Sequence, residues 1–114
     1  MPKQDITYES GKAQDMTYIH REAMTGGTVY FTVKSVANDD SPTDTTAVIK
    51  KDITSFTDND TTASWTLSDA DMNLDPGKYY YDIVYEDSNS ESEPAAFYGT
   101  FKIEKRVTNR NTAA

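Results

Sequence analysis

The chain has 114 residues, about the usual size of one folded domain, and 36% of them are hydrophobic. It contains no cysteine, which excludes disulfides, thiolate metal sites and a cysteine nucleophile. The net charge is −8, and because an acidic body repels the phosphate backbone, we expect no nucleic-acid partner.

No stretch of the sequence approaches the roughly 18 consecutive apolar residues that a membrane-spanning helix requires. The first residues also lack the apolar core of a secretory signal peptide. We therefore expect a protein that is synthesised in the cytoplasm and has no membrane partner.

Apolar and aromatic residues recur at every second position along most of the chain, as half-buried strands require. Val29, Phe31 and Val33 share one face of such a run, and threonine and lysine lie largely on the other. Clusters of Gly, Pro, Asn, Asp and Ser separate the runs and predict turns. Seven strands are predicted, near residues 5–9, 14–20, 27–36, 46–53, 62–68, 78–86 and 96–104.

Seven short strands with regular turns predict an all-β fold, an antiparallel sandwich of two sheets formed by residues 1–107. Residues 108–114 are predicted to form a C-terminal tail. No helix of ten or more residues is expected, although Ser68 and Asp71 have the spacing of a helix N-cap over a single turn. The side chains expected mainly inside the sandwich are those of Val29, Phe31, Val33, Ile49, Trp65, Leu67, Leu74, Tyr80 and Phe101.

One short motif refines the predicted fold. Leu74, Pro76, Gly77 and Tyr80 have the spacing of a tyrosine corner, which is found in fibronectin type III and related Greek-key, immunoglobulin-like sandwiches. In such a corner the tyrosine hydroxyl hydrogen-bonds back to the preceding crossover, so Tyr80 is predicted to make this bond while Leu74 packs into the core. A plain Pro-Gly turn before a tyrosine-rich strand is the alternative interpretation.

Signatures of catalysis are sparse. His20 is the one histidine, and it is expected at the surface, near a strand end. The sequence has no nucleophile elbow and no phosphate-binding loop. A pair of carboxylates for glycoside hydrolysis is not excluded by spacing alone, but most Asp and Glu fall in predicted turns. We predict a protein that is not an enzyme and that uses no cofactor.

The segment 69–73 is the best candidate for a metal site because oxygen ligands alternate along it. An EF-hand loop beginning at Asp69 would require Gly at position 74 and Glu at position 80, where this chain has Leu74 and Tyr80. The segment is therefore not an EF-hand and no metal site is predicted, although calcium binding of another type by the acidic loops stays open.

Tyrosines are concentrated in the strand predicted at 78–86 and exceed what one core face needs. Exposed tyrosine is enriched in protein interfaces, and it also lines sugar-binding platforms. A protein interface is the preferred interpretation, with a glycan platform second. The basic C-terminus is a second docking candidate, because its charge is opposite to that of the body. The residues predicted for the interface are Tyr79, Tyr81, Tyr85, Lys105, Arg106 and Arg110.

Three segments carry a resemblance to a known family: residues 65–83 (WTLSDADMNLDPGKYYYDI), 97–103 (FYGTFKI) and 107–110 (VTNR). They resemble small Ig-like proteins encoded among the structural genes of tailed bacteriophages and prophages. The resemblance extends in pattern over residues 27–110 and is specific over 65–110. This chain differs from the family pattern in its longer tyrosine-rich strand and in a more elaborate loop at 86–95.

The resemblance implies an Ig-like virion protein without catalysis. Such a protein is an accessory of the tail, baseplate, neck or capsid surface, and its partners are other virion proteins. A homo-oligomer or a ring within the particle is expected, because opposite charges on body and tail favour docking between copies. The alternative is a carbohydrate-binding or adhesion module that contacts the host surface.

Overall fold

The computed structural model describes residues 4–35, 47–93 and 97–105, and these ranges contain strands, turns and bends but no helix. It follows that no described helix is long and apolar enough to cross a membrane. The seven predicted strands are confirmed, with bounds close to those expected. They are β1 (Ile6–Glu9), β2 (Gln14–Ile19), β3 (Thr28–Lys34), β4 (Ala47–Ile53), β5 (Thr62–Leu67), β6 (Gly77–Glu86) and β7 (Phe97–Glu104).

The strands form two sheets, as predicted for a sandwich. One sheet has five strands in the order β1-β7-β6-β3-β4, and the other pairs β2 with β5. The prediction that all strands pair antiparallel is wrong for β1 and β7, which run parallel with Ile6 opposite Phe101. Parallel neighbours need a long connection, and here the whole intervening chain supplies it, because these strands come from the two ends of the sequence.

The core lies between the two sheets, where the odd-numbered side chains of β3, β6 and β7 meet the odd-numbered side chains of β5 and the even-numbered Met16 and Tyr18 of β2. Phe31 is fully buried at its centre, with ring centroids 5.5 Å from Trp65, 6.0 Å from Tyr81 and 6.2 Å from Phe101. Leu74 packs against this core from its edge. The predicted core residues confirmed as buried are Val29, Phe31, Val33, Ile49, Trp65, Leu67 and Phe101.

The turn after β5 contains the predicted N-cap. Ser68 Oγ accepts a hydrogen bond from the Asp71 amide at 3.1 Å, and Asp71 Oδ2 accepts one from the Ser68 amide at 2.9 Å. Asp69 Oδ1 accepts a bond from the Ala13 amide at 2.8 Å. The acidic side chains of this segment therefore bond to the backbone, and within the described ranges no three His, Asp or Glu side chains converge on a metal-binding group.

Asp71 also forms an ion pair, with its Oδ2 2.8 Å from Lys51 Nζ. Burial acts to raise the pKa of this carboxyl, but the hydrogen bonds from Lys51 and Ser68 outweigh it and lower the pKa below its ordinary value. Because the pKa of Asp71 is lower in the folded state than in the unfolded state, ionised Asp71 stabilises the fold at pH values above its unfolded-state pKa, which is roughly 4 for Asp. This stabilisation is lost as the pH falls through the folded pKa.

We expect Asp71→Asn to lower the free energy of unfolding by about 1 kcal/mol at pH 7, since a partly exposed pair contributes modestly. The difference from the wild type should shrink as the pH falls below about 4. Urea denaturation between pH 7 and pH 2.5 measures both quantities. Asp52→Asn, which changes an exposed carboxylate of β4, is the control. If the free energies of unfolding of the two variants depended on pH in the same way, the role of the Lys51 contact would be contradicted.

Candidate interaction surface

The tyrosines of β6 alternate between the two faces of the larger sheet. Tyr81 and Tyr85 are buried in the core, being 5% and 7% exposed, and Tyr79 is half-buried against it. The prediction that Tyr81 and Tyr85 belong to an interface is therefore wrong. Their positions in β6 pair with Val33 and Val29 of β3, whose side chains face the smaller sheet.

The hydrogen bond that was predicted for Tyr80 is absent from the bonds of that residue, and a bond across the same turn comes from Tyr79. Tyr79 Oη donates to the Asp75 carbonyl oxygen over 2.7 Å, across the turn that contains Pro76 and Gly77. Tyr80 was predicted to make this bond and to lie in the core. It lies instead on the opposite face of β6, because neighbouring residues of a strand point in opposite directions.

We expect Tyr79→Phe to lower the free energy of unfolding by about 1 kcal/mol, since it removes one hydrogen bond and keeps the ring. Tyr80→Phe is a matched control one position away, and it should change stability by less than about 0.5 kcal/mol. Thermal or urea unfolding of the two variants compares them. A larger loss for Tyr80→Phe would show that the corner is assigned to the wrong residue.

The remaining predicted interface residues belong to the C-terminus. Lys105 is exposed and directly follows β7. Arg106, Arg110 and the predicted tail 108–114 lie outside the described residues. Of the three basic residues predicted for the interface, the structure therefore describes Lys105 alone.

His20 is buried at 5% exposure, so its predicted surface position is wrong. Its Nδ1 lies 2.6 Å from Tyr18 Oη, and its Nε2 lies 3.7 Å from a carboxylate oxygen of Glu93. The ring also contacts Tyr85, with centroids 4.7 Å apart. Burial, and then the Glu93 charge, raise the pKa of the Tyr18 hydroxyl, so this hydroxyl keeps its proton, and the tautomer of His20 decides which of the two atoms donates.

This arrangement ties three parts of the fold together. His20 follows β2, Tyr85 lies in β6, and Glu93 lies in the connection between β6 and β7. Arg21 adds a second contact to Glu93, with N–O distances of 3.4 Å. Every polar atom of the His20 ring thus has a neighbour of complementary chemistry, as a buried structural histidine requires.

The surface with the most exposed aromatic and aliphatic groups is the other side of the larger sheet. We call it the outer face, meaning the even-numbered residues of β3, β4, β6 and β7. Tyr98 and Val48 are 38% and 41% exposed on it, and Tyr30, Tyr80 and Val84 are half-buried. Among the described strands, none packs over this face, since β2 and β5 cover the opposite one.

The strand register arranges the outer face in rows. Tyr80 lies between Thr100 and Lys34, and in the next row Asp82 lies between Tyr98 and Thr32. Thr32 is only 8% exposed although it points away from the core, because the longer side chains beside it cover it. The outer face is therefore a continuous, partly desolvated surface rather than a set of isolated side chains.

Charge is distributed unevenly over the outer face. Lys34, Lys78 and Lys102 lie towards the end at which β6 begins. Asp52 and Glu86 lie towards the opposite end, where Glu86 pairs with Thr28. Glu104 follows Lys102 at the corner of β7, and Lys50 and Asp82 lie on either side of Thr32 in the middle row. The separation of charge is therefore clearest between the two ends of β6.

Sequence reasoning missed the outer face, although one signal for it was available. The alternation in β6 places Tyr80 and Val84 on the same face as the charged Lys78, Asp82 and Glu86, which marks that face as the one turned away from the core. The contributions of Tyr30 and Tyr98 depend on strand pairing, which links residues far apart in the sequence.

Comparison with known proteins adds no identification. No protein-family model matches the chain. No curated protein matches it either. Function is therefore argued from the fold, the outer face and the sequence pattern.

Proposed function

We propose that this protein is a non-enzymatic structural component that packs against other proteins through its outer face, within the particle of a tailed bacteriophage. The observation that carries the packing role is the group of partly exposed Tyr30, Tyr80, Val84 and Tyr98 on one uncovered sheet face of the described chain. Tyrosine is enriched at protein interfaces because its ring provides large contact area and its hydroxyl a hydrogen bond.

We further propose that the sandwich is immunoglobulin-like. In that fold one sheet contains the strands called C, F and G, variable-type domains add a further strand beside C, and a tyrosine at the start of strand F forms the corner. The order β7-β6-β3-β4 matches G, F, C and the added strand, with Tyr79 in the corner position of β6. The pair β2-β5 takes the place of the second sheet.

The phage setting rests on the sequence resemblance of residues 65–110. Two glycines of the resembling segments support the proposal by their positions. Gly77 is the first residue of β6, and Gly99 lies in β7 against the backbone of Gln4, just before β1. The protein would occupy a place in the tail, baseplate, neck or capsid surface. Its location would be the virion, after synthesis in the host cytoplasm.

The test is incorporation into particles. Purified virions of the phage that encodes this chain are analysed by quantitative mass spectrometry, with the wild type, Tyr98→Ser and Ile19→Ser compared. Ile19 is the matched control because it is 70% exposed on the smaller sheet, away from the outer face. We expect Tyr98→Ser to reduce the copies per particle several-fold and Ile19→Ser to leave them unchanged.

Absence of the wild-type protein from virions would refute the phage setting. Equal incorporation of both variants would refute the role of the outer face. A variant lacking residues 105–114 tests the basic C-terminus separately. Its normal incorporation would refute docking through Lys105, Arg106 and Arg110 and leave the structural role intact.

A carbohydrate-binding role is the second candidate, and one observation favours it. The exposed ring of Tyr98 lies opposite Asp82 in the strand register, which places an aromatic surface beside a carboxylate. A glycan array probed with the wild type and Tyr98→Ala tests this role. Binding that is lost in Tyr98→Ala would favour the glycan role, and no binding to any glycan would contradict it.

A further inference from the structure

We infer that the free edge of β2 is a second contact surface, at which an extended segment of a partner protein adds as a further strand of the smaller sheet. The segment is one whose alternate side chains are apolar, and it runs antiparallel to β2. This goes beyond the proposed function, because the edge of β2 is separate from the outer face and binds its partner through backbone groups.

The hydrogen bonds of β2 show which of its backbone groups are free. The His20 amide donates a 2.8 Å bond to the carbonyl oxygen of Thr61, the residue opposite it when the register of β2 and β5 is continued. Bonded and non-bonded pairs alternate along an antiparallel ladder, so the even-numbered residues of β2 bond to β5. The N–H and C=O groups of Asp15, Thr17 and Ile19 therefore point away from β5. These three residues are exposed, and no other strand of the described ranges pairs with them.

The other sheet edges carry features that oppose strand addition. β1 has four residues, and β4 carries Lys50 and Lys51 and pairs irregularly with β3. β5 is covered at its start, where Thr62 and Thr57 exchange two backbone hydrogen bonds. β2, in contrast, has six residues in regular register with β5 and contains neither lysine nor proline. Its edge is therefore the least protected in the described part of the chain.

The order of the strands places an apolar floor below the free edge. Tyr18 of β2 contacts Phe97 of β7, with ring centroids 6.1 Å apart, and β1 is the next strand beyond β7. On its other side β2 pairs with β5, which approaches β4 at the far edge of the larger sheet. A strand added beside β2 would thus lie over β1. Ile6 and Tyr8 of β1 pack against the core but are half-buried, so apolar side chains above them would complete their burial.

These surroundings define the chemistry of the partner segment. In an antiparallel pair, side chains directly opposite each other share one face of the sheet. Partner residues opposite Met16 and Tyr18 therefore point to the floor and should be apolar, whereas those opposite Asp15 and Thr17 face solvent. A lysine opposite Asp15 would meet its carboxylate, and the net charge of −8 on the chain favours a basic segment.

A second copy of β2 does not fit this position. Because β1 projects beyond β2, pairing two β2 strands about a two-fold axis would push β1 of each copy into the space of the other copy's β7. A single extended segment meets no such obstacle. The contact is therefore a β-strand addition by a different protein, in which the backbone provides affinity and alternate side chains provide specificity.

A synthetic peptide tests the inference on the full chain. The probe is the peptide VTITVKV, whose lysine lies opposite Asp15 when its isoleucine lies opposite Tyr18 in an antiparallel pair. Amide hydrogen exchange is followed residue by residue with NMR. We expect excess peptide to slow exchange of the Asp15, Thr17 and Ile19 amides by about tenfold or more, because these N–H groups become hydrogen-bonded.

Modified peptides are matched controls that leave the protein unchanged. N-methyl groups on the two threonines remove N–H groups that face β2, and this peptide should not slow exchange. N-methyl groups on the isoleucine and the central valine remove N–H groups that face away from β2. This second peptide should bind within about threefold of the unmodified one, since it keeps every bond to the edge.

Variants of the protein test the same edge from the other side. Thr17→Pro removes the central N–H donor and should weaken peptide binding by about tenfold or more. Ser64→Pro changes the residue opposite Thr17 on β5, whose N–H points away from β2, and should leave binding unchanged. Ile19→Ser keeps both backbone groups and should also bind as the wild type does. Circular dichroism verifies the fold of each variant, and if Thr17→Pro does not fold, the two N-methylated peptides decide.

Two results would overturn the inference: unchanged exchange of Asp15, Thr17 and Ile19 in excess VTITVKV, or equal binding of the two N-methylated peptides. Failure here is distinguishable from failure of the proposed function. If the peptide does not bind but Tyr98→Ser still reduces incorporation into virions, strand addition falls and packing through the outer face stands.

Discussion

Replacement of Phe31 by alanine is expected to lower the free energy of unfolding by about 3–5 kcal/mol, the usual cost of deleting a buried aromatic ring. Phe31 is fully buried, and its ring contacts Trp65 and Tyr81 as well as Phe101. The three neighbours come from three strands and both sheets, so the cavity lies where the sheets meet and no single strand can close it.

Urea or thermal denaturation measures this loss, with the wild type and the variant at the same protein concentration. Tyr98→Ala is the matched control, because it removes an aromatic ring from the opposite side of the same sheet. It should change the free energy of unfolding by no more than about 1 kcal/mol. Comparable losses for the two variants would contradict the placement of the core between the sheets.

A methyl group added to Gly99 is expected to lower the free energy of unfolding by about 1–3 kcal/mol, the range found for overpacking. A Cβ at this position would collide with the carbonyl oxygen of Gln4 and lie 2.8 Å from its carbonyl carbon. The same carbonyl oxygen accepts a 2.6 Å hydrogen bond from the Tyr81 hydroxyl. Gly99→Ala therefore displaces the segment that leads into β1 and breaks the bond that holds it.

A double-mutant cycle tests the mechanism of this loss. Tyr81→Phe removes the hydrogen bond to Gln4 directly, so in the Gly99→Ala background it should cost less than in the wild type. Thr7→Ala, an exposed change on the neighbouring β1, should alter stability by less than about 0.5 kcal/mol. Additive effects of Gly99→Ala and Tyr81→Phe would show that the methyl group acts elsewhere.

Strand β6 shows where sequence reasoning succeeded and where it failed. Its alternation predicted a strand correctly, because side-chain period depends only on local backbone geometry. The choice of buried face was inconsistent, since Tyr80 was placed in the core and Tyr79, Tyr81 and Tyr85 at an interface. Tyrosine occurs on both faces, and so does an aliphatic residue, so these residues could not choose between the faces. The charged Lys78, Asp82 and Glu86 are the better guide, because all three fall on the face opposite Tyr81.

The end of β2 gives a second case. His20 is buried while Ile19, beside it, is 70% exposed. Hydrophobicity predicts the reverse, but alternation from Met16 through Tyr18 points His20 inward. The burial of a polar ring is tolerated because Tyr18 hydrogen-bonds one ring nitrogen and a Glu93 carboxylate oxygen lies 3.7 Å from the other. Glu93 is far away in the sequence, so nothing near His20 could have predicted this partner.

Features that depend on neighbouring residues could be predicted from the sequence: the seven strands, the Ser68–Asp71 cap and most of the core on β3 and β5. Features that depend on long-range pairing could not. These are the parallel contact of β1 with β7, the hydrogen bond from Tyr79 to Asp75, the burial of His20 and the composition of the outer face. Local geometry fixes how side chains alternate along a strand, but only the packing of one sheet on the other fixes which face is buried.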